Sequence, residues 1–429
     1  MLLTIGGGSL LHATRGQLRL PHDEHGVDSS LSYNPDNHWS CALYKGLAVC
    51  QFTDGRNILN LNRDDAAGYC LDTLSTHRLH RSPMVRGRGV LATHTDFVNS
   101  YPSVLQTTCY NMTATKTTGE MCAGIVKGAG VFPKNPAQHM ADLEVLETME
   151  EMKPSFFNSV TNKPKTIECI RVDGASDEGP AHVEVQFWWT MRHFQKPTLI
   201  TLVTARNSGA SYLNRVELQN GCLSLAHSNL FIPSNLSGSC FNSETGKVDK
   251  EKLKTNMQLA TEIYIQRVNN APCGDTVIRL YPGADSGSKQ ELREHVLANV
   301  KGSREKKQEL LKTDPTTYNF IKEIWDVRSR HLVTGLPPTQ YVFFLKCCQQ
   351  NDCPHPLCHQ SNFGEQTWFP GGPPLSYLPV PVPDPAQPWG SKDCTQCQGV
   401  CHGHFLSPQE AMDSELPGMT KPPSQLIKD

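Results

Sequence analysis

At 429 residues the chain is long enough for one large core or for two or three smaller units, so a deeply buried site is open to it. Its 40 Lys and Arg against 42 Asp and Glu leave a formal charge of −2, which excludes nucleic-acid binding through an overall basic field and leaves only local patches for such contact. No apolar run reaches the roughly 18 residues of a membrane helix, and MLLTIGGGSLLHATRG lacks a basic segment ahead of its short apolar stretch, so neither a span nor a secretory leader is expected.

Residues 1–54 are rich in Gly, His, Asn and Asp without a sustained period and are expected to be irregular. From Arg56 the pattern changes: NILNL is a short apolar strand running into NRDD, so two carboxylates, Asp64 and Asp65, close it. AAGYCLDTLSTHRLH, VLATHTDFVNS and the stretch around VLQTTCYNMTAT read as further strands. HRLHRSPMVRGRG sets Arg78, Arg81, Arg86 and Arg88 with His77 and His80 just after the first carboxylates, as a phosphate-binding ridge or a solvated loop. NPAQHMADLEVLETMEEM opens with Asn135 as cap and Pro136 in the first turn and predicts a helix.

TIECIRV is a buried strand ending at Asp173, followed by the turn GASDEGP, to which Asp177 and Glu178 are assigned. In HVEVQFWWTMRHF, Val183, Phe187, Met191 and Phe194 form one helical apolar stripe, and Trp188 and Trp189 read as core. TLITLVT is another buried strand. SYLNRVELQNGCLSLAH then predicts a helix with Leu213, Val216 and Leu223 on one face and Glu217, Asn220 and Ser224 on another. Strand, helix, strand, helix implies an α/β sheet covered by helices over 55–240. Over 241–335 charged amphipathic helices, separated by a Cys-Gly and Tyr-Pro-Gly loop, predict a helical appendage.

After Gly335 the composition shifts to Pro, Cys, Gly and His, and seven of the sixteen cysteines fall between Cys347 and Cys401. Tight CC, CxxxxC and CxxC spacings in an intracellular chain suit zinc better than disulfides. Cys348, Cys353, Cys358, Cys394, Cys397, Cys401 and His404 are the candidate ligands within a larger set that includes Cys347, His355, His359 and His402, enough for one or two tetrahedral sites whose membership the spacing leaves open. So little apolar mass cannot build a core over 336–410, so bound Zn²⁺ would supply its folding free energy. Residues 411–429 are expected to form a flexible tail.

Phosphodiester cleavage needs hard oxygen ligands converging on two divalent cations. Asp64 or Asp65 at one strand end, Asp173 at a second 109 residues beyond Asp64, and Glu217 on a helix 44 residues further on offer such a set. IRVDGASDEGP followed by a helix, a strand and YLNRVELQNGCL resembles the second Asp and the helical Glu of DDE transposases and retroviral integrases. NLNRDDAAG resembles the first catalytic strand of their transposon-encoded relatives. The resemblance spans about residues 55–235 and implies an RNase H-like mixed sheet flanked by helices. Carried over by residue, it implies a catalytic triad of Asp64, Asp173 and Glu217 holding Mg²⁺ or Mn²⁺, with Asp65 as the rival of Asp64. It further implies DNA as partner, a nuclear location and compatibility with a homo-oligomer. Residues 1–50 hold only Cys41 and Cys50 and no recognisable DNA-binding module, which keeps open the alternative of a catalytically silent, domesticated DNA- or chromatin-binding protein.

Overall fold

The computed structural model describes residues 35–49, 56–76, 90–92, 103–115, 118–205, 214–241, 247–333, 336, 338–360, 365–367, 373–375, 377–387 and 403–426. Its elements in chain order are α1 (Asn37–Val49), β1 (Ile58–Asp65), β2 (Tyr69–Cys70), β3 (Leu74–Thr76), β4 (Val90–Ala92), β5 (Val104–Met112), β6 (Met121–Gly128), α2 (Pro136–Thr148), β7 (Ile167–Val172), α3 (Val183–Gln195), β8 (Ile200–Ala205), α4 (Arg215–Ala226), α5 (Lys250–Val268), β9 (Ala271–Cys273), β10 (Thr276–Pro282), α6 (Gly287–Lys301), α7 (Arg304–Thr313), α8 (Pro315–His331) and β11 (Val342–Lys346). Shorter helical turns intervene, among them 408–413 and 423–426. The chain is an α/β protein built on a nine-stranded mixed sheet of order β11-β8-β7-β1-β5-β6-β10-β9, with β2 added on β5. β1, β7 and β8 run parallel, whereas β5 is antiparallel to both β1 and β6.

Alternation along β1 divides the two faces. Leu59 and Leu61 join one cluster with Phe187, Trp188, Met191, Val296 and Ile324, and so meet α2, α3 and the helices from α6 to α8. Ile58 faces the other way, among Ile167, Ile200, Val342, Phe344, Trp39 and Leu43. Further along that second face, Cys109, Cys122 and Val126 meet Val216 and Leu223 of α4 and Met257 and Tyr264 of α5. Trp188 and Trp189 are fully buried, so both tryptophans pack the core. α2 begins where its sequence says it should: Asn135 accepts from the Gln138 N–H and Pro136 occupies the first turn.

Four stretches differ from the expectations above. Within 336–410, expected to lack the apolar mass for a core, Val342–Lys346 forms β11 on β8 with Val342, Phe343, Phe344 and Leu345 fully buried. The segment between α5 and α6, read as a loop, forms β9 and β10, and β10 extends the sheet in parallel with β6 through Ile278↔Cys122. Val277, Ile278, Leu280 and Tyr281 supply the β-branched and aromatic character, which the neighbouring Gly and Pro punctuation masks in the sequence. Residues 37–49, placed in the irregular N-terminal segment, form α1. The stretch 411–426, placed in a flexible tail, is tied to it: Trp39 Nε1 donates to Met419 O at 2.8 Å, and Ser424 N and Oγ bond the Asp36 carboxylate at 2.8 and 2.7 Å. Trp39 is fully buried, so Trp39→Ala is expected to lower unfolding free energy by about 3–5 kcal/mol. Denaturant titration of the two proteins measures this, and a change below about 1 kcal/mol would show that the N- and C-terminal segments do not share a core.

Candidate metal centres

Among the described residues three groups of side chains have the composition of metal sites, one acidic at one end of the parallel strands and two of Cys and His close together at the other. The first is acidic. β1 and β7 pair in parallel with Asn62 opposite Arg171, so continuing the register by two residues sets Asp64, next to the last residue of β1, beside Asp173, just past the end of β7. Carboxylate oxygens of Asp64, Asp173 and Glu178 lie within 4.8 Å of one another. Glu217 is outside that trio, but it stands in the first turn of α4, half-buried, and its charge is the strongest of the carboxylates acting on Asp64. Asn220, one turn further along α4, donates to Asp64 Oδ2 at 3.3 Å.

Burial first, then the charges of Glu217, Glu178 and Asp173, push the Asp64 carboxyl up to about 8. Asp65 projects to the opposite face. There it pairs with Lys134 at 2.9 Å and accepts from the Thr108 hydroxyl at 2.6 Å. Burial opposes its ionisation, but His139, Lys127, Lys134 and Thr108 together hold it below the usual carboxylate range. Of the two adjacent acids, Asp64 therefore faces the other carboxylates and Asp65 is already neutralised. Neither Asp64 nor Asp173 has a cationic partner among the described residues.

The loop after β7 is anchored from below. Arg63 is buried and donates to Glu178 Oε2 through Nε at 3.0 Å and Nη2 at 2.9 Å. Burial pushes Glu178 up to about 8; the Arg63 charge opposes that shift, while Asp65 and Asp177 add to it. Next to Glu178 in the same loop, Asp177 accepts from His139 Nε2 at 2.9 Å. Burial and Arg63 bring His139 down to about 4, so the pair is a neutral imidazole bonded to an ionised carboxylate. Asp177 and Glu178 thus fasten the loop that presents Asp173. Glu178, which sequence reading left in the turn, gave no periodic signal; its role depends on Arg63, which is 115 positions away in sequence.

The second group joins Cys348, Cys353 and Cys358 to His331 at the end of α8, with ligand atoms all within 4.8 Å. His331 Nε2 lies 3.3 Å from Cys353 Sγ and 3.2 Å from Cys358 Sγ, and Cys348 Sγ lies 3.8 Å from Cys358 Sγ. Tetrahedral zinc with bonds near 2.3 Å to sulfur and 2.0–2.1 Å to nitrogen sets ligands roughly 3.5–3.8 Å apart, so these four could hold a metal such as zinc. The cysteines are free thiols. His331 escaped sequence reading because it ends an amphipathic helix 17 residues before Cys348, far outside a finger-like spacing. Its only signal was a histidine closing the helix that leads into the cysteines. Cys394, Cys397 and Cys401, like the basic stretch 77–89, lie outside the described residues. His404 is described, with its ring 4.5 Å from that of His38.

β8 runs parallel to β7, and its first residue Ile200 pairs with Lys346 at the end of β11. Cys347 and Cys348 therefore follow the N-terminal end of β8, whereas Asp173 follows the C-terminal end of β7. A six-residue strand puts roughly 20 Å between the two centres. No family model, curated protein or solved structure matches the chain, so the geometry and the chemistry of these two groups carry the functional reading.

Proposed function

We propose that the chain is a DDE transposase-like enzyme core, RNase H-like in fold, that cleaves or transfers DNA strands with Mg²⁺ or Mn²⁺ at Asp64, Asp173 and Glu217. The observation that carries this reading is the juxtaposition of Asp64, Asp173 and Glu178 at the ends of two adjacent parallel strands, with no Lys or Arg paired to either aspartate among the described residues. The two aspartates, uncompensated and this close to each other and to Glu178, repel, and a hard divalent cation is the partner this donor set suits. Two such ions supply activation of the attacking oxygen and stabilisation of the leaving oxygen in phosphodiester chemistry.

Asp64 and Asp173 would be the principal ligands, with Glu217 reaching in from α4. Asn220 orients Asp64 from the same helix. Arg63 restrains Glu178 beside them, and His139 fixes the loop through Asp177. DNA as partner, a nuclear location and a homo-oligomeric assembly belong to the same reading. Zinc, folding the C-terminal cysteines against the core, would be the structural metal.

The test is a Mg²⁺- or Mn²⁺-dependent nicking assay on supercoiled plasmid and on short duplex DNA. Asp173→Asn is expected to reduce cleavage by at least about 10³-fold, because an amide keeps the shape but not the charge. Asp65→Asn should stay within about tenfold of wild type, since Asp65 is spent on Lys134 and Thr108, while losing about 1–3 kcal/mol of stability. Equal activity in wild type and Asp173→Asn would discard the acid site. A folded wild type with no cleavage under any divalent cation would transfer support to the silent DNA-binding protein.

A further inference from the structure

Behind the Cys348, Cys353, Cys358 and His331 group lies a second buried cluster, His193, Cys347 and His355, with ligand atoms again within 4.8 Å. We propose that this cluster is the outer shell of a single zinc centre, in which His193 sets the tautomer and orientation of the ligand His331, and that it is not a second metal site. The inference goes beyond the DNA-cleaving reading and does not depend on it.

His331 presents Nε2 to the cysteine sulfurs, so its proton must sit on Nδ1. That atom lies 2.8 Å from His193 Nε2, which can then only accept. The proton of His193 is thereby placed on Nδ1, 2.7 Å from Thr198 Oγ1 and 3.0 Å from Thr201 Oγ1. The two hydroxyls are themselves 2.9 Å apart. The result is a relay from His331 through His193 to the Thr198 and Thr201 hydroxyls that fixes the tautomer of both imidazoles. Metal-bound histidines ordinarily have such a partner on the other ring nitrogen, and removing it lowers metal affinity by about 10–100-fold.

The same bonds use up the donors a second ion would need. Both His193 nitrogens are engaged. His355 donates Nε2–H to the His193 carbonyl at 3.0 Å, and its Nδ1 faces the Leu357 N–H at 3.3 Å and the Cys347 thiol at 3.5 Å. Cys347 also reaches Thr198 O at 3.5 Å. His193, His331 and His355 are fully or almost fully buried, so this shell is sealed from water. His193 belongs to α3, which makes the zinc centre part of the core rather than a detachable finger.

The experiment uses the full chain carrying Cys394→Ser, Cys397→Ser and Cys401→Ser, loaded with Co²⁺ as the probe. We expect one tetrahedral Co²⁺ per chain, counted by its intense thiolate-to-metal and visible bands, which an oxygen-ligated ion at the acidic site does not give. His331→Ala should lose or shift those bands, having removed a ligand. His193→Ala should keep the band positions but release Co²⁺ to a competing chelator at about 10–100-fold lower chelator concentration. His193→Gln, whose side-chain oxygen can accept from His331 Nδ1, should recover most of the affinity, which a purely packing role would not predict. If His193→Ala fails to fold, Thr198→Val with Thr201→Val removes the far acceptors and should weaken binding several-fold in the same direction. Two tetrahedral ions per chain with one lost on removing His193, unchanged affinity in His193→Ala or in the threonine pair, or no recovery in His193→Gln would each overturn the proposal.

Discussion

Replacing Asp64 by Asn is expected to abolish divalent-metal-dependent cleavage and, in the metal-free protein, to raise stability. The two effects share one cause. Asp64 is partly buried among Glu217, Glu178 and Asp173, and its carboxyl is held at about 8 against an ordinary 3.8. Between those two values the folded chain keeps a proton that the unfolded chain has released. Stability therefore falls as pH rises from about 4 to about 8 and levels off above, at a slope of up to about 1.4 kcal/mol per pH unit. Solvent reaching the half-buried side chain reduces the total, and a net gain of about 2–4 kcal/mol for Asp64→Asn at pH 8 is the expected size.

Glu178, also pushed up to about 8, keeps a weaker slope of the same sign in the variant. Denaturant unfolding at pH 5.5 and 8.5, with and without Mn²⁺, separates the contributions. Mn²⁺ should stabilise wild type more at pH 8.5 than at 5.5, because only the ionised acids bind it, and should do little for Asp64→Asn. Wild-type stability that is flat or rising across this window, with no Mn²⁺ effect, would remove the electrostatic basis of the site.

The legible parts of this fold were those where period and punctuation agree. β1, β7, β8 and α2 to α4 each carry a local signal, an apolar run or a 3.6-residue stripe bounded by Asn, Gly or Pro, and each appears where that signal sits. β10 and β11 were hidden because a strand at or near a sheet edge is defined by its partner: Cys122 for Ile278, and Thr204 for Val342. α1 was hidden for the same reason, since a weakly amphipathic sequence becomes a helix by burying Trp39 and Leu43 against residues more than 300 positions later.

The candidate site shows the same division. Asp64, Asp65, Asp173 and Glu217 could be proposed from strand ends and a helix turn, but choosing between Asp64 and Asp65 needed the side each faces. Lys134 and Thr108 on one side, and Glu217 and Asn220 on the other, are unrelated to β1 in sequence distance. His331 and His193 lie on helices where no metal-ligand spacing marks them. Their chemistry is set by which cysteines fold back on them, and the intervening Pro and Gly stretches do not encode that return.

Stripping the metal from the Cys348, Cys353, Cys358 and His331 centre is expected to open one end of the sheet while leaving the acidic end folded. Cys353 and Cys358 are buried, His331 is fully buried, and Cys348 is half-buried. Without an ion, three thiols and an imidazole would face one another with no hydrophobic gain to replace the lost bonds. Structural zinc contributes about 10–16 kcal/mol in finger peptides. A segment that also packs Cys347, Leu357 and Cys358 on Ile200 and Val342 keeps part of its order, so a loss of about 5 kcal/mol or more is expected locally. Hydrogen exchange after exhaustive chelation at neutral pH gives the readout. The amides of β11 and α1 should lose protection, whereas β1, β5 and β6, joined through Leu61↔Met112 and Cys109↔Gly124, should keep theirs. The bound thiols must be thiolates, so acid should mimic the chelator as pH drops below about 6. Unchanged β11 protection in a chain shown to hold no metal would mean that the cysteines pack as ordinary core thiols, whereas loss of protection in β1 and β5 as well would mean that the zinc centre and the acidic site belong to one cooperative unit.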